Sequence, residues 1–546
     1  MGSLQQIIAA TPFRDPMWRF PAEGGEYPLS DLLAQSERLA AGLAEQGVKA
    51  DDRVITLFDT GSAAVTCLLA IWHLGAVAVP LRPQRINQSG KGLVPDVIRI
   101  CAAKAIVHTA PQVTFNWPGG TLDLSYQQLL RNNAKAVPRA DRALRDLALI
   151  QFTSGSTGRP RGVRVRHDMV LTQLRQLSEN YRAEGPVAVP QSVGSWLPIY
   201  HDMGLFIGML LPLFCGADAL LAPPEYYVRN PARWFRALSD QRCDLSFSTS
   251  SVLAATLRGT KRLTPQDCDL SRLVLYIAAE KISPAVMDDL SRRLGPLGLS
   301  PQGLRTGYGM AEYALGCTSS LSGPVPRQHV RIAGDVVTPC PTSANSLEFV
   351  TIGRPNSGCD LAIRDPGGRR LPDWRLGEIT VAGPCLTEGY ESDAAATDKA
   401  LGQGYLRTGD LGFRVNGEVY FVGRKDDTMT VAGRHIVPAD IEHEIEALSF
   451  VGAGRALLFG TEAQGADLSR QILLIESRSA WTPEQATERI AAIRQMTRDR
   501  FGFVPSDIVP VPRGTVEKTS SGKKRTRVIK ARWLRGEIFR LSTEDA

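Results

Sequence analysis

The chain has 546 residues, of which 43% are hydrophobic and 22% charged, with a formal net charge of +7. That length exceeds one compact core, so two or more domains are expected, and no apolar run approaches the roughly eighteen residues that a membrane span requires. The charge suits anionic ligands but is too small per residue to imply nucleic acid. The nine cysteines are scattered singly, which argues against a zinc site or a disulfide framework and for a reducing cytoplasm. Met1-Gly2-Ser3-Leu4 also lacks the basic-then-apolar layout of a secretion signal.

Helix punctuation marks Ser30 to Gly47: Ser30 or Asp31 can cap, Leu32, Ser36, Leu39 and Leu43 share a face, and Gly47 stops the helix. Val54–Phe58 then reads as a strand, Gly61–Leu74 as an apolar helix and Ala76–Val79 as the next strand. Strand, helix and strand within about thirty residues form a βαβ unit, hence a parallel sheet with a right-handed crossover. Further strand-like runs lie at Ala105–His108, Leu147–Ile150, Ala219–Leu221, Leu245–Phe247 and Leu273–Ile277. The bulk is therefore α/β with a buried, parallel-rich sheet and flanking helices.

Pro326–Ser346 is irregular and rich in Pro, Ser and Thr, which suggests a subdomain boundary. Strands and turns alternate from Leu361 to Val381, and charges at Arg424-Lys425-Asp426-Asp427 interrupt two strand-like runs. Pro438–Leu448 reads as a helix with Asp440, Glu442 and Glu444 near its start, which suits the helix dipole. The last 120 or so residues are expected to form a small α+β domain.

The loop Phe152-Thr153-Ser154-Gly155-Ser156-Thr157-Gly158-Arg159-Pro160-Arg161-Gly162 carries three glycines, four hydroxyls and two arginines. Its glycines let successive backbone N–H groups curl around an oxyanion, and its arginines add charge that does not titrate near neutral pH. This chemistry holds polyphosphate, although the loop lacks the Gly-Lys-[Ser/Thr] of a Walker motif. A solvated Ser/Gly turn is the blander alternative. His201-Asp202 follows an apolar run. Tyr308-Gly309-Met310-Ala311-Glu312 offers an aromatic face, a glycine for close approach and a carboxylate suited to Mg²⁺. Asp410, in Tyr405–Gly412, is an acceptor-only carboxylate that can take both hydroxyls of a ribose, and Arg424 can reach the same sugar or a phosphate. Lys518-Thr519-Ser520-Ser521-Gly522-Lys523 is a second hydroxyl-and-glycine loop. Eight basic residues fall between Lys518 and Arg535, a run that reads as a solvated face or an electrostatic docking surface.

Taken in order, Phe152–Gly162, His201, Tyr308–Glu312, Asp410, Arg424 and Lys523 resemble the motifs of the adenylate-forming superfamily. The resemblance covers essentially the whole chain. Trp196–Leu205, Leu406–Gly412, Gly433–Glu442 and the stretch ending Thr351-Ile352-Gly353-Arg354-Pro355 look most like its fatty acyl-AMP ligase branch. Arg161 stands where that loop usually has lysine, and Ala278-Ala279-Glu280 replaces the commoner Gly-Ala-Glu.

The resemblance implies ATP-dependent activation of a carboxylic acid as an acyl-AMP, with Mg²⁺, and then transfer to the phosphopantetheine thiol of an acyl-carrier protein. CoA, an amine or another small nucleophile are alternative acceptors, and a non-catalytic homologue that only binds nucleotide is an alternative reading of the whole chain. It implies catalytic roles for Lys523, His201 and Glu312, the last also holding the metal. Thr153, Ser154, Gly155, Ser156, Thr157, Gly158 and Arg161 would meet the phosphates. Ala279, Glu280, Tyr308, Gly309 and Met310 would meet adenine, and Asp410 and Arg424 the ribose. The implied architecture is a large domain over residues 1–424 and a mobile small domain over 425–546, hinged near Asp426.

Overall fold

The computed structural model describes residues 4, 14–83, 93–109, 117–131, 134–153, 160–182, 189–320, 323–342, 346–425, 429–431, 434–436, 438–452, 454–461, 470–501, 503–518 and 524–541. The expected βαβ unit is present as Arg53–Leu57, the helix Ser62–His73 and Val77–Leu81, with the two strands paired in parallel. That helix is buried on nearly every side from Ala64 to His73. An all-round apolar surface of this kind belongs to a helix packed inside a large core rather than on its rim.

The helix Leu29–Glu45 buries Leu32, Ser36, Leu39 and Leu43, as the periodicity requires. Its start differs from expectation. Pro28 occupies the cap position, and Ser30 does not cap; its backbone N–H instead donates to Asp15 at 3.0 Å. A carboxylate from a preceding segment thus satisfies an orphan donor that a local hydroxyl was expected to take. Gly47 follows the helix at φ +81°, the left-handed stop.

Among the described residues two sheets make up the large domain. One has six strands, ordered Leu122–Ser125, Ala105–His108, Arg53–Leu57, Val77–Leu81, Leu147–Thr153 and Arg161–Arg166; all pairs are parallel except the last. The hydroxyl-rich loop is therefore the connection of an antiparallel hairpin, Leu147–Thr153 with Arg161–Arg166. The second sheet has fifteen strands. Its parallel part includes Met17–Phe20, Asp218–Leu221, Ser192–Ser195, Leu245–Ser248, Val274–Ile277 and Leu304–Gly309. It continues antiparallel through Gly316–Ser319, Leu347–Pro355, Glu418–Arg424, Leu406–Val415, Gly377–Ala382 and Asp360–Arg364. Where the sequence between Pro326 and Ser346 suggested irregular chain, Arg327–Ala333 and Val336–Pro339 pair as a hairpin on the strand Leu347–Pro355. Proline and hydroxyl residues are tolerated there because the hairpin branches off the main sheet as an edge.

The small domain contains the three-stranded sheet Ala456–Gly460, Gln471–Ser477 and Asp507–Pro512, flanked by the helices Pro438–Glu446, Pro483–Phe501 and Thr526–Leu534. It has apolar clusters of its own, one around Ile441, Leu458 and Trp481 and another around Leu457, Val511 and Ile529. Among the described residues no helix is long and apolar enough to cross a membrane.

Candidate active site

The parallel strands Leu245–Ser248, Val274–Ile277 and Leu304–Gly309 end at one cleft, the usual place for a ligand in an open parallel sheet. The segments after these strands, Ser250–Val252, Ala278–Glu280 and Met310–Glu312, line it. Gly309 permits a close crossing: a Cβ there would lie 1.7 Å from the Leu315 carbonyl oxygen. Ala279 sits at φ +73°, a left-handed conformation that costs a residue with a Cβ on the order of 1 kcal/mol. Glu280, on the cleft wall, accepts the backbone N–H of Ser251 with its carboxylate, which holds the helix Ser250–Thr256 against the cleft.

Tyr308 donates its hydroxyl to Asp410 Oδ2 at 2.6 Å, and Arg424 donates to Asp410 Oδ1 at 2.8 Å. Asp410 and Arg424 are cross-strand partners in the ladder between Leu406–Val415 and Glu418–Arg424, so sheet register sets their pairing. The Tyr308 ring stacks against Phe421 with centroids 6.3 Å apart. Burial, then the Asp410 charge, pushes the Tyr308 phenol well above its usual range, so it stays a donor.

Glu312 accepts a hydrogen bond from the Tyr390 hydroxyl at 2.8 Å, and the Arg161 guanidinium lies 5.5 Å from the centre of the Tyr390 ring. The segment around Gly389 reaches this point by adding to an edge. Arg164 N donates to the Gly389 carbonyl at 3.2 Å and Glu391 N to the Gly162 carbonyl at 2.7 Å, so Tyr390 bridges Val163. Burial raises the Glu312 carboxyl above its usual value, partly offset by the Tyr390 hydrogen bond.

His201 places Nδ1 against the Asp202 carboxylate, which also accepts the Met203 N–H at 2.7 Å. Gln151, at the end of the strand leading to the hydroxyl-rich loop, donates to the Tyr200 carbonyl at 2.9 Å and so ties this turn to that strand. Wider, π-type turns follow from Gly204 to Leu210. An apolar wall of Leu177, Ile207, Phe247 and Tyr276 adjoins, the two aromatic rings stacked 4.8 Å apart.

The structure thus brings Thr153, Arg161, His201, Ala279, Glu280, Tyr308, Gly309, Met310, Glu312, Asp410 and Arg424 to one cleft, with Lys518, Lys524 and Arg527 of the small domain on its wall. Ser154, Gly155, Ser156, Thr157 and Gly158, like Asp426 and Lys523, lie outside the described residues. Tyr390, Phe421 and Gln151 escaped the reading of the sequence; the only signal for Tyr390 was the Thr387-Glu388-Gly389-Tyr390 turn. Part of the basic run is paired with acids while most of its described members stay at least partly exposed. Arg525 and Arg532 pair with Glu517 at 3.1 and 2.7 Å, Arg535 pairs with Glu537, and Lys524 is held by Glu442 and Glu446. These pairs offset part of the run's charge, and those on exposed side chains are weak.

The AMP-binding enzyme family matches residues 9–391. FadD30 of Mycobacterium tuberculosis, named as a long-chain-fatty-acid–AMP ligase, is 31% identical over 402 residues, 68% of each chain. FadD25 of the same organism, named as a fatty-acid–CoA ligase, is 29% identical over 540 residues, 91% of this chain and 90% of that one. A structure from work on the fatty acyl-adenylate ligases of E. coli and L. pneumophila superimposes with a TM-score of 0.88 at 26% identity, covering 98% of both chains.

Proposed function

The chain belongs to the AMP-binding enzyme family, and on that premise we propose that it activates a carboxylic acid as an acyl-adenylate and passes the acyl group to a carrier-protein thiol. A carboxylate oxygen of the acid attacks the α-phosphorus of ATP; the bond from that phosphorus to the bridging oxygen breaks, and pyrophosphate leaves. A thiolate then attacks the acyl carbonyl and AMP departs. The observation that carries the reading is the convergence of two buried pairs, Tyr308–Asp410 and Tyr390–Glu312, on one cleft at the ends of parallel strands.

Catalysis at phosphorus consists largely of positioning and of neutralising charge on non-bridging oxygens. Asp410, fixed by Tyr308 and Arg424, presents oxygens to the ribose hydroxyls. Ala279 and the Tyr308 ring line the adenine. The loop from Thr153 to Arg161 cradles the β- and γ-phosphates, and Lys523 meets the α-phosphate and the incoming carboxylate. His201, held by Asp202 through Nδ1, lines the cleft beside the charge that develops. The apolar wall of Phe247 and Tyr276 receives the acyl group. Among the described residues no group of three or more His, Cys, Asp or Glu converges as a metal cage. The desolvated Glu312 carboxylate on the cleft is the residue that would hold a Mg²⁺. When bound, the ion supplies neutralisation of phosphate charge.

The relatives' names divide between AMP ligase and CoA ligase, and that division concerns the acceptor. The resemblance of Gly433–Glu442 to the AMP ligase branch favours the carrier protein. The test is an acid-dependent pyrophosphate-exchange screen across short, long, aromatic and amino acids. Exchange with at least one class supports the reading, and an inert chain with every class overturns it.

A further inference from the structure

Within the basic run, Lys524 is largely withdrawn from solvent. Its ammonium donates to Glu442 Oε2 at 2.6 Å, Glu446 Oε1 at 2.7 Å and the Ala456 carbonyl at 2.7 Å, which occupies all three protons. The acids are fixed in turn. Glu442 accepts Leu458 N at 2.8 Å, and Glu446 accepts Gly454 N at 2.6 Å and Ala456 N at 3.2 Å. Side-chain exposures of 19% for Lys524, 8% for Glu442 and 13% for Glu446 set this network largely out of solvent where the small domain borders the cleft. A buried ion cluster adds little net stability over a well-packed apolar one, but removing one member leaves a buried charge unpaired and is costly.

The cluster holds the chain that leads into the helix Thr526–Leu534. Lys524 bridges Lys518 in antiparallel fashion, and Arg525 N donates to the Glu517 carbonyl at 2.9 Å, so the chain is pinned on both sides of residues 519–523. The helix Pro438–Glu446 that supplies both acids also carries His443. Its Nε2 lies 3.3 Å from the Ser283 hydroxyl of the large domain, and Ser283 N donates to Ser250 at 3.1 Å beside the cleft. One helix therefore contacts both the large domain and the residue that adjoins Lys523.

We propose that Lys524 is a positioning residue: its ammonium, locked between Glu442 and Glu446, anchors the chain next to Lys523 to the helix that docks on Ser283. The inference rests on Lys523 being the group that meets the α-phosphate. Its test uses the full chain with Lys524→Met, Lys524→Arg and the milder Glu446→Gln, which leaves Glu442 in place. Three readouts apply: hydrogen exchange of the peptide around 515–526, steady-state adenylation, and acyl transfer from synthetic acyl-adenylate. Lys524→Met and Glu446→Gln should speed exchange at 515–526 and lower kcat for adenylation, by up to about 100-fold for Lys524→Met, as expected for a misplaced catalytic group. KM for ATP should stay within about twofold, and transfer from preformed adenylate should be retained. Lys524→Arg should recover part of the loss. Unchanged exchange in both variants, or an equal loss in both half-reactions, overturns the proposal. A wild-type chain inert with every acid would instead overturn the ligase reading, and the exchange data would still decide whether Lys524 is an anchor.

Discussion

Tyr308 and Asp410 lie 102 residues apart in the chain, yet the phenol donates to the carboxylate at 2.6 Å while Arg424 holds the other oxygen. Asp410 thus enters the cleft already oriented, with its charge balanced from behind. Asp410→Asn should raise the ATP KM by about tenfold or more, in line with the ~1.5–3 kcal/mol of a hydrogen bond to a charged group. Tyr308→Phe should cost less. Wild type should prefer ATP to its 2′- and 3′-deoxy analogues, and Asp410→Asn should narrow that preference. An unchanged preference would remove the ribose from Asp410.

Lys523→Ala should slow adenylate formation by at least about two orders of magnitude, on the order of 3 kcal/mol in the barrier, and leave the melting temperature near wild type. Pyrophosphate exchange checks this. If exchange stays near the wild-type rate, the role passes to Lys518, the exposed lysine on the other side of the loop.

Glu312 is a buried carboxyl whose affinity for protons is raised by desolvation. A cation at this carboxylate favours its charged form. The acidic limb of the pH profile for kcat/KM should therefore move to lower pH as Mg²⁺ rises. Glu312→Gln should abolish that movement and raise the metal requirement more than it weakens binding of the acid. A metal titration unchanged in the variant would make the carboxylate structural.

Burial, together with the Arg142 charge, lowers the pKa of His167 from 6.5 to about 4. Below pH 6.5 the unfolded chain takes up a proton here that the folded chain refuses. The stability associated with this neutral ring is complete above about pH 6.5 and falls as pH drops toward 4, by on the order of 3 kcal/mol. Urea unfolding of wild type and His167→Gln between pH 4 and 7 checks the sign: the variant should lose less stability on acidification.

Given free CoA and, separately, holo carrier protein, the activated acid should load the carrier. Part of the run from Lys518 to Arg535 is paired with Glu442, Glu446, Glu517 and Glu537, so loading should weaken modestly between about 50 and 200 mM salt. Efficient acyl-CoA formation with no carrier loading at any salt would reverse the choice of acceptor.

Local patterns in the sequence were sufficient for the parallel strands, the βαβ unit and the order of the site motifs. Each rests on neighbours in the chain: the alternation of Leu245-Ser246-Phe247, the stop at Gly47, the hydroxyls and glycines after Phe152. The positions of Asp410, Glu312 and Tyr308 in one cleft followed from the order of motifs that a whole family shares. Tertiary structure alone decided what those groups touch. Tyr390 reaches Glu312 because the backbone around Gly389 adds to the edge of Arg161–Arg166, and no local signal specifies an edge pairing between segments more than two hundred residues apart. Asp15 caps the helix Leu29–Glu45 in place of Ser30 for a similar reason: the donor is local, the acceptor is brought by the fold. Charge gives the sharpest case. A sequence counts eight basic residues from Lys518 to Arg535, but the field they exert depends on which carboxylates the chain folds onto them. Lys524 becomes an anchor because Glu442 and Glu446 lie on a helix packed beside it.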